Sequence, residues 1–335
     1  MCCTMISQDG SQGEGGGQIV RSSLTLSMVT GQPLELYHIR AGRQKPGLQR
    51  QHLTAVRAAA KISDAELDGD RLGSSRLVFR PRRVRAGRHV FRIGTAGSTT
   101  LVLQTILPAL CLADGPSHVT LEGGTHNPLA PTFDFLDQVY LPLLARAGPE
   151  FEMHLTSYGF FPAGGGQFSV TIHPTHRWGP LQLLERGDLV NQQARVLIAR
   201  LPDHVAHREC KTITSDRQWR GRPCEIRRVD SSPGPGNAVE LLMQFEHVTE
   251  MVTAFGQRGV PAEKVARTAL AEARTYLHST APVGTHLADQ LLLPLGIGAH
   301  QGSGGGSFRA QYLSGHTTTH IELLKKFLSI QVDVA

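Results

Sequence analysis

Near the C-terminal end of the chain, GHTTTHIELLKKFL (315–328) places His316 and His320 four residues apart, just ahead of an apolar stripe. Two imidazoles at that spacing on one helical face make a metal pair. A single neutral imidazole at a helix N-terminus makes a nucleophile or a base. The choice turns on where the helix begins. A start at His316 opens it with Thr317, Thr318 and Thr319, a β-branched run that helix interiors disfavour. Thr319 followed by Glu322 instead forms a capping box, with Ile321, Leu324, Phe327 and Leu328 as the buried stripe. This spacing predicts a helix whose first residue is His320, with His316 in the loop before it and no shared face. No HExxH sequence or further ligand set accompanies the pair, which disfavours zinc. A loop histidine ahead of a helix N-terminus sits in positive potential, which favours neutral imidazole and attracts phosphate.

Glycine gathers in GEGGG (13–17), GTAG (94–97), PAGGG (162–166) and GSGGG (302–306). None is a GxxxxGK[ST] loop, and none is a GxGxxG after a strand with a later ribose-binding acid. PAGGG and GSGGG each precede an alternating strand and read as turns. In GEGGG, Glu14 stands among backbone donors, an arrangement that suits a hard divalent cation bridging to phosphate. Arginine clusters at Arg40, Arg43 and Arg50, and again at 76, 80, 82, 83, 85, 88 and 92. A solvated basic face and a polyanion-binding face both fit that pattern.

These groups need elements to hold them. PLELYHI reads as a strand, GLQRQHLTAVRAAAKI as a helix, and DAELDGD and SSRLVFRP as strands. The same order returns in SHVTLEGGT, PTFDFLDQVYLPLLARAG, EFEMHLTSYGF and GQFSVTIHP, so the chain reads as copies of one α/β unit. TTLVLQTILPALCLA lies between them, apolar nearly all round, and reads as a buried helix capped by Ser98 or Thr99. The pattern breaks near residue 180. Residues 181–278 carry their own strand (VELLMQFE) and helix (PAEKVARTALAEARTYLH), after which THLADQLLLPLGI and SGGGSFRAQYLS resume the repeat. The expected organisation is a large repeat domain (1–180 and 279–335) interrupted by a smaller α/β module (181–278).

The 335 residues are 40% hydrophobic and 19% charged, with a net charge of +6. No run approaches the roughly 20 apolar residues that span a bilayer, and MCCTMISQDG lacks a signal-peptide pattern. A cytoplasmic protein, with no membrane association and no obligate protein partner, is expected. Five scattered cysteines (Cys2, Cys3, Cys111, Cys210, Cys224) suggest reduced thiols rather than disulfides.

Several long motifs, in order, resemble the RNA 3′-terminal phosphate cyclase family over essentially the whole chain. They are DGSQGEGGGQIVRSSLTLS, AGRQKPGLQRQHL, RIGTAGSTTLVLQTILPAL, EGGTHNPLAPTFDF, GFFPAGGG, THLADQLLLP and GHTTTHIELLKKFL. The resemblance implies an α/β fold of repeated units similar to the enolpyruvyl transferases, interrupted by a smaller domain. It implies ATP and Mg²⁺ or Mn²⁺ as cofactors and an RNA bearing a 3′-terminal phosphate as substrate. In the implied chemistry a histidine takes AMP from ATP and passes it to the RNA 3′-phosphate, and the 2′-hydroxyl then closes a 2′,3′-cyclic phosphate.

His316 falls at the nucleophile's position, and Glu14 at that of a metal-contacting acid. Gln104, Pro131, His286 and the following Leu287, Ala288, Asp289 and Gln290 match the nucleotide site, with Pro131 and His286 on the two faces of adenine. Arg21, Arg40, Arg43, Gln51 and His52 match the region that receives the RNA phosphate and the outer phosphates of ATP. The chain departs from the family at His286, where an aromatic is usual, at Tyr158 in place of Arg or His, and at His320 in place of Asn. A non-catalytic cyclase-like protein that binds RNA or assists ribosome assembly is the alternative on the same fold. An enolpyruvyl-type transferase is a weaker third. Retention of His316 and of the LADQ run favours the enzyme over both.

Overall fold

The computed structural model of the chain describes residues 4–13, 15–302 and 305–335. Its first half contains one βαβαββ unit twice. In the first copy β1 (Ile6–Asp9) crosses through α1 (Gly17–Thr30) to the parallel β2 (Leu34–Tyr37). From there α2 (Arg50–Ser63) leads into the hairpin of β3 (Glu66–Asp68) and β4 (Leu77–Arg80). The second copy runs through β5 (Gly87–Arg92), α3 (Thr99–Leu110) and β6 (Ser117–Gly123). It continues with α4 (Phe133–Phe135), a π-helical turn (Leu136–Tyr140) and α5 (Leu141–Ala145), and closes with the hairpin of β7 (Glu150–Ser157) and β8 (Gly166–His173).

The strand orders β1-β2-β4-β3 and β5-β6-β8-β7 are the same permutation. Each copy therefore begins one strand and one helix earlier than the sequence pattern suggests. β1 is only four residues long, and α3 is apolar on almost every side, so neither shows a clean period. Ser98 does cap α3, its Oγ accepting from the Leu101 amide at 3.3 Å.

β9 (Leu181–Leu183) follows and is then interrupted. The strands β10 (Leu189–Ala199), β11 (Cys224–Arg228), β12 (Gly236–Phe245) and β13 (Thr249–Phe255) make a separate sheet ordered β11-β10-β12-β13. Two helices accompany it, α6 (Asp203–Ser215) and α7 (Ala262–His278). After them come α8 (Thr285–His300), β14 (Gly306–Phe308) and α9 (Gly315–Leu328). β14 pairs in parallel with β9. β9, α8, β14 and α9 thus repeat β1, α1, β2 and α2, a third copy shortened by its hairpin. The α/β class expected from the sequence is the class observed.

The reduced-thiol expectation is overturned at one pair. Cys210 on α6 and Cys224 at the start of β11 form a disulfide, with their Cα atoms 5.8 Å apart. Their spacing of 14 carried no pairing signal, because only the packing of α6 back along β11 brings them together. Cys111 is a buried free thiol, and Cys2 and Cys3 lie outside the described residues. Among the described residues no helix is long and apolar enough to cross a membrane.

α1 packs against α2, α3 and α9, and α9 against α8, over a core that includes Leu24, Leu26, Val102, Leu103, Ile106, Leu291, Leu324 and Phe327, all at most 2% exposed. Truncating such a leucine to alanine costs about 2–5 kcal/mol, so the relative placement of these helices is stiff. That stiffness positions the site below.

Candidate active site

α9 starts five residues earlier than its sequence pattern predicts. Ser314 is its cap, with Oγ accepting from the Thr317 amide at 2.9 Å, so the helix opens at Gly315 and carries His316 in its first turn. Thr319 caps nothing; its hydroxyl donates to the Gly315 carbonyl at 2.8 Å within that turn. The threonine run is tolerated because its hydroxyls all find acceptors. Thr318 donates to the Ser314 carbonyl at 3.2 Å, and Thr317 donates to Asp289 Oδ1 at 2.6 Å. The same Asp289 oxygen accepts from Ser314 Oγ at 2.6 Å. A carboxylate from α8 therefore anchors the N-terminus of α9, where negative charge is favoured by the helix dipole.

His316 and His320 consequently do share a helical face, contrary to the expectation, and both line one cavity. They still do not form a metal pair. The Nδ1 of His320 lies 2.9 Å from the Asp289 carbonyl oxygen, which only accepts, so Nδ1 carries the proton. Its Nε2 faces Ser22 Oγ at 2.5 Å and Gln18 Nε2 at 3.0 Å, so the lone pair is spent as an acceptor. Burial pushes the imidazole down to about 4, which keeps it neutral. His320 ties α1, α8 and α9 together. His316 is half-buried and lies four residues earlier, in the first turn of α9.

The cavity measures about 730 Å³, within the range of small-molecule sites. Its wall draws on Gln18, Arg21, Ser22 and Thr25 of α1, on Leu101 and Gln104 of α3, and on His286, Asp289, Gln290 and Leu293 of α8. α1, α3 and α8 are the first crossover helices of the three repeat copies, and each contributes its N-terminal half. α9 adds His316 and His320 from its own first turns. Four helix N-termini aimed at one space create a positive potential suited to an anionic ligand. The opposite wall comes from Met251, Thr253 and Phe255 of β13 and from Lys264, Thr268 and Glu272 of α7. The cavity thus lies between the repeat copies and the β10–β13 sheet with its helix α7.

Beside the cavity, the phosphate-type residues gather on the N-terminus of α1. A Cβ added at Gly16 would lie 3.0 Å from Arg43 Nη2, and one added at Gly17 would lie 2.9 Å from Arg21 Nη1 and collide with His52 Nε2. Glycine is needed there so that these cations can close on the helix end. His52 Nδ1 accepts from the Gln49 amide at 3.2 Å, which leaves Nε2 protonated as a neutral donor. Burial, with Arg21 and Arg40 nearby, pushes His52 down to about 3, and burial brings Arg21 down to about 10, still a cation at neutral pH. Arg40 is bound into its own loop through the Lys45 and Gly47 carbonyls, at 2.7 and 3.1 Å. Gln51 Oε1 accepts from the Ser98 amide at 2.8 Å and so joins this loop region to α3.

Of the remaining expected residues, Gln104 donates to Gln290 Oε1 across the floor, and Pro131 and His286 both line the cavity. His286 Nε2 sits 3.5 Å from Glu272 Oε1, and that carboxylate keeps the imidazole above its ordinary range. Leu287 and Ala288 are fully buried and turn into the core instead of the cavity. The LADQ run spans a whole helical turn, so only its two polar members face the ligand space. Glu14 lies outside the described residues.

Sequence reasoning missed the wall supplied by residues 251–272. Lys264, Thr268 and Glu272 recur every four residues on the polar side of α7 and read as a solvent face. Nothing local distinguishes a helix face that looks onto a cavity from one that looks onto bulk water.

At the base of this wall Glu250 is buried, and its Oε2 accepts from the amide of Gly284, the cap of α8, at 2.9 Å. Burial pushes its carboxyl up to about 8 from an ordinary 4.5. A raised pKa makes the protonated form the stabilising one. Its contribution is complete below pH 4.5 and lost as pH rises through 8. Glu250→Gln keeps the acceptor and removes the titration. Denaturant melts are expected to show little difference from the parent at pH 5, and a gain of about 2 kcal/mol or more at pH 9.

One other group has metal-like spacing: His126, Asp134 and Glu240, all buried. His126 Nε2 donates to Asp134 Oδ2 at 2.9 Å, and Arg195 Nη1 donates to Asp134 Oδ1 at 3.0 Å. Burial raises Asp134, but His126 and Arg195 outweigh it and hold the carboxyl below its ordinary range, while burial beside Asp134 pushes Glu240 well above. With its nitrogen committed as a donor and an arginine supplying the positive charge, the group works as a buried polar tie between β10, β12 and the second repeat copy.

A histidine and helix N-termini around a nucleotide-sized cavity, with guanidinium groups clustered beside it, suit an enzyme that acts on phosphates. The profile of the family described as RNA 3′-terminal phosphate cyclase matches residues 12–334. A protein named RNA 3′-terminal phosphate cyclase in Koribacter versatilis (strain Ellin345) is 49% identical over 331 residues, covering 99% of this chain and 92% of its own. Proteins of that name in Ralstonia nicotianae and Salmonella typhimurium are 49% and 48% identical, over 98% of this chain and 93% and 94% of theirs. The chain belongs to the RNA 3′-terminal phosphate cyclase family, a family of ligase-type enzymes. Among solved structures, the enolpyruvyl transferase NikO from Streptomyces tendae overlaps with a TM-score of 0.31 and 14% identity, over 52% of this chain and 33% of its own. An overlap that loose bears on neither fold nor function.

Proposed function

We propose that this chain converts an RNA 3′-terminal phosphate to a 2′,3′-cyclic phosphate at the expense of ATP, with His316 as the covalent carrier of AMP. The observation that carries the proposal is the position of His316, in the first turn of α9 and on the wall of a 730 Å³ cavity that four helix N-termini surround. In the first step a ring nitrogen of His316 attacks the α-phosphorus of ATP. The bond to the bridging oxygen breaks and pyrophosphate leaves. In the second, an oxygen of the RNA 3′-phosphate attacks the phosphorus of the histidine-bound AMP; the P–N bond breaks and imidazole is regenerated. In the third, the neighbouring 2′-hydroxyl attacks the RNA phosphorus, losing its proton, and AMP leaves as the ring closes.

Pro131 and His286 hold adenine, and Gln104, Asp289 and Gln290 form the polar side of the nucleotide site. Arg21, Arg43 and His52 at the head of α1, with Arg40 and Gln51 beside them, neutralise and orient the outer phosphates and the RNA end. Mg²⁺ or Mn²⁺, held through Glu14, would add charge neutralisation at the triphosphate. Of the described carboxylates on the cavity wall, Asp289 accepts two hydroxyls at Oδ1 and Glu272 is paired with His286 through Oε1. In the same reading residues 181–278 are a module inserted into the catalytic repeat domain, and the protein works in the cytoplasm.

The test is incubation with ATP labelled at the α-phosphate and a divalent cation, without RNA. The expected result is a protein–AMP adduct that is labile to acid and stable to alkali, chased into RNA–ppA and cyclic phosphate by an oligonucleotide with a 3′-phosphate. An intact protein that never acquires label would overturn the proposal in favour of the non-catalytic alternative.

A further inference from the structure

A second concavity, of about 280 Å³, lies on the outer side of the repeat domain between α2 and β5. Arg50, Arg57 and Lys61 line it from α2, and Arg92 and Val90 from β5, with Leu72 at its lip. The spacing is orderly. Arg50, Thr54, Arg57 and Lys61 fall on one stripe of α2, at steps of four, three and four. β5 is an edge strand, and its exposed positions are Arg88, Val90 and Arg92, at steps of two. A basic helix stripe and a basic strand row thus face each other across a groove whose apolar parts, Val90 at 46% and Leu72 at 52% exposure, are open to solvent.

The groove is continuous with the phosphate residues. Arg50 directly precedes Gln51 and His52, and β5 runs on through Ile93 into the GTAG loop, where Gln51 accepts from the Ser98 amide. From Arg50 to Lys61 the helix advances about 16 Å, which at roughly 6 Å per nucleotide is the length of two to three nucleotides of single strand. Among the described residues neither Arg50 nor Lys61 forms an ion pair, and the Lys61 ammonium lies 5.7 Å over the Phe91 ring. Arg57 is paired with Asp70 at 3.1 Å and Arg92 with Glu122 at 2.9 Å, both as surface pairs that a polyanion can displace.

We propose that this groove binds the single-stranded RNA segment upstream of the terminal phosphate. Its phosphates lie along the α2 stripe and its sugars and bases against Val90 and Leu72. The inference rests on the RNA-end reading above and extends it from the terminal group to the next two or three nucleotides. The groove's polar lining is mostly cationic, which suits phosphate contacts, so the expected binding is to backbone and shape with little sequence preference.

The test compares the parent with an Arg50→Ala/Lys61→Ala double variant and with Glu122→Gln, which releases Arg92. The parent's kcat/KM is expected to rise as the substrate lengthens from a nucleoside 3′-phosphate to a tetranucleotide and then to level off. The double variant is expected to lose about tenfold on the tetranucleotide, mainly in KM, with a shallower salt dependence, and to match the parent on the nucleoside 3′-phosphate. Glu122→Gln is expected to lower KM for the tetranucleotide. RNA-independent labelling by ATP is expected to be unchanged in both variants, which reports intact folding.

Equal length dependence in the parent and the double variant overturns the inference. So does a groove whose RNA binding is displaced as well by poly-glutamate as by an RNA of equal charge, since that marks an acidic-protein surface. If the parent itself shows no labelling and no cyclisation, the enzymatic reading fails instead. The groove then stands or falls on fluorescence anisotropy with 3′-phosphorylated oligonucleotides, in which the double variant must bind more weakly.

Discussion

Replacement of His316 by alanine is expected to abolish AMP transfer, lowering label incorporation from α-labelled ATP by about 10⁴-fold or more. His316 stands in the first turn of α9 on the cavity wall, and the other two histidines of that wall are engaged elsewhere. His320 has both nitrogens bonded, to the Asp289 carbonyl on one side and to Ser22 and Gln18 on the other. His286 is at the rim, paired with Glu272. His320→Ala is therefore expected to keep the adduct and to lose about 2–3 kcal/mol of stability, because buried Ser22 and half-buried Gln18 and Asp289 lose their common partner. The comparison is sharp, since the two residues are four apart and similar in chemistry. An adduct that disappears only when His320 is replaced would reverse the assignment, and so would an adduct that survives both single changes.

The second large effect is expected at Asp289, which does not need to touch the α-phosphorus to matter. Its Oδ1 accepts from Ser314 and from Thr317, the cap and the third residue of α9, and its carbonyl orients His320. Asp289→Ala removes the acceptor from both hydroxyls and frees the turn that carries His316. A displacement of about 1 Å at a reacting group is worth on the order of 10² in rate, so labelling by ATP is expected to fall about 100-fold. The loss in stability should be smaller, about 1–3 kcal/mol, leaving the protein folded at 25 °C. Asp289→Asn retains a carbonyl acceptor and is expected to recover most of the rate. A purely structural role would predict instead that rate and stability fall together in both variants. An alanine variant that labels as fast as the parent would show that the α9 turn holds itself.

Much of the fold was legible because its elements obey their own periods. The alternation in β8, the stripe of α7 and the apolar run of α3 all appear where the sequence places them. The sequence pattern shows each copy only from its second strand, because β1 is short and β5 is charged, and both resemble loops. The sequence pattern misplaces the beginning of α9 for a different reason. Thr319 and Glu322 make a sound local cap, and the cap that forms instead, Ser314, is favoured by a carboxylate 25 residues away in α8. The disulfide is of the same kind, since no spacing rule links Cys210 to Cys224 until α6 folds back on β11.

The sequence by itself determined the chemistry available to this protein: a family set of motifs, a histidine near a helix start, guanidinium groups and glycines for phosphate. It also determined the α/β repeat, because both are written in residue types and short spacings. Only the tertiary structure decided that His320 is committed to the packing, through contacts from α1 and α8 that are nearly 300 and about 30 residues distant in the chain. Only the tertiary structure put the corresponding helix of each repeat copy around one cavity and turned the polar side of α7 onto it. A hydrogen bond or a cavity wall depends on distance in space, and local sequence constrains that distance only within a turn or two of chain.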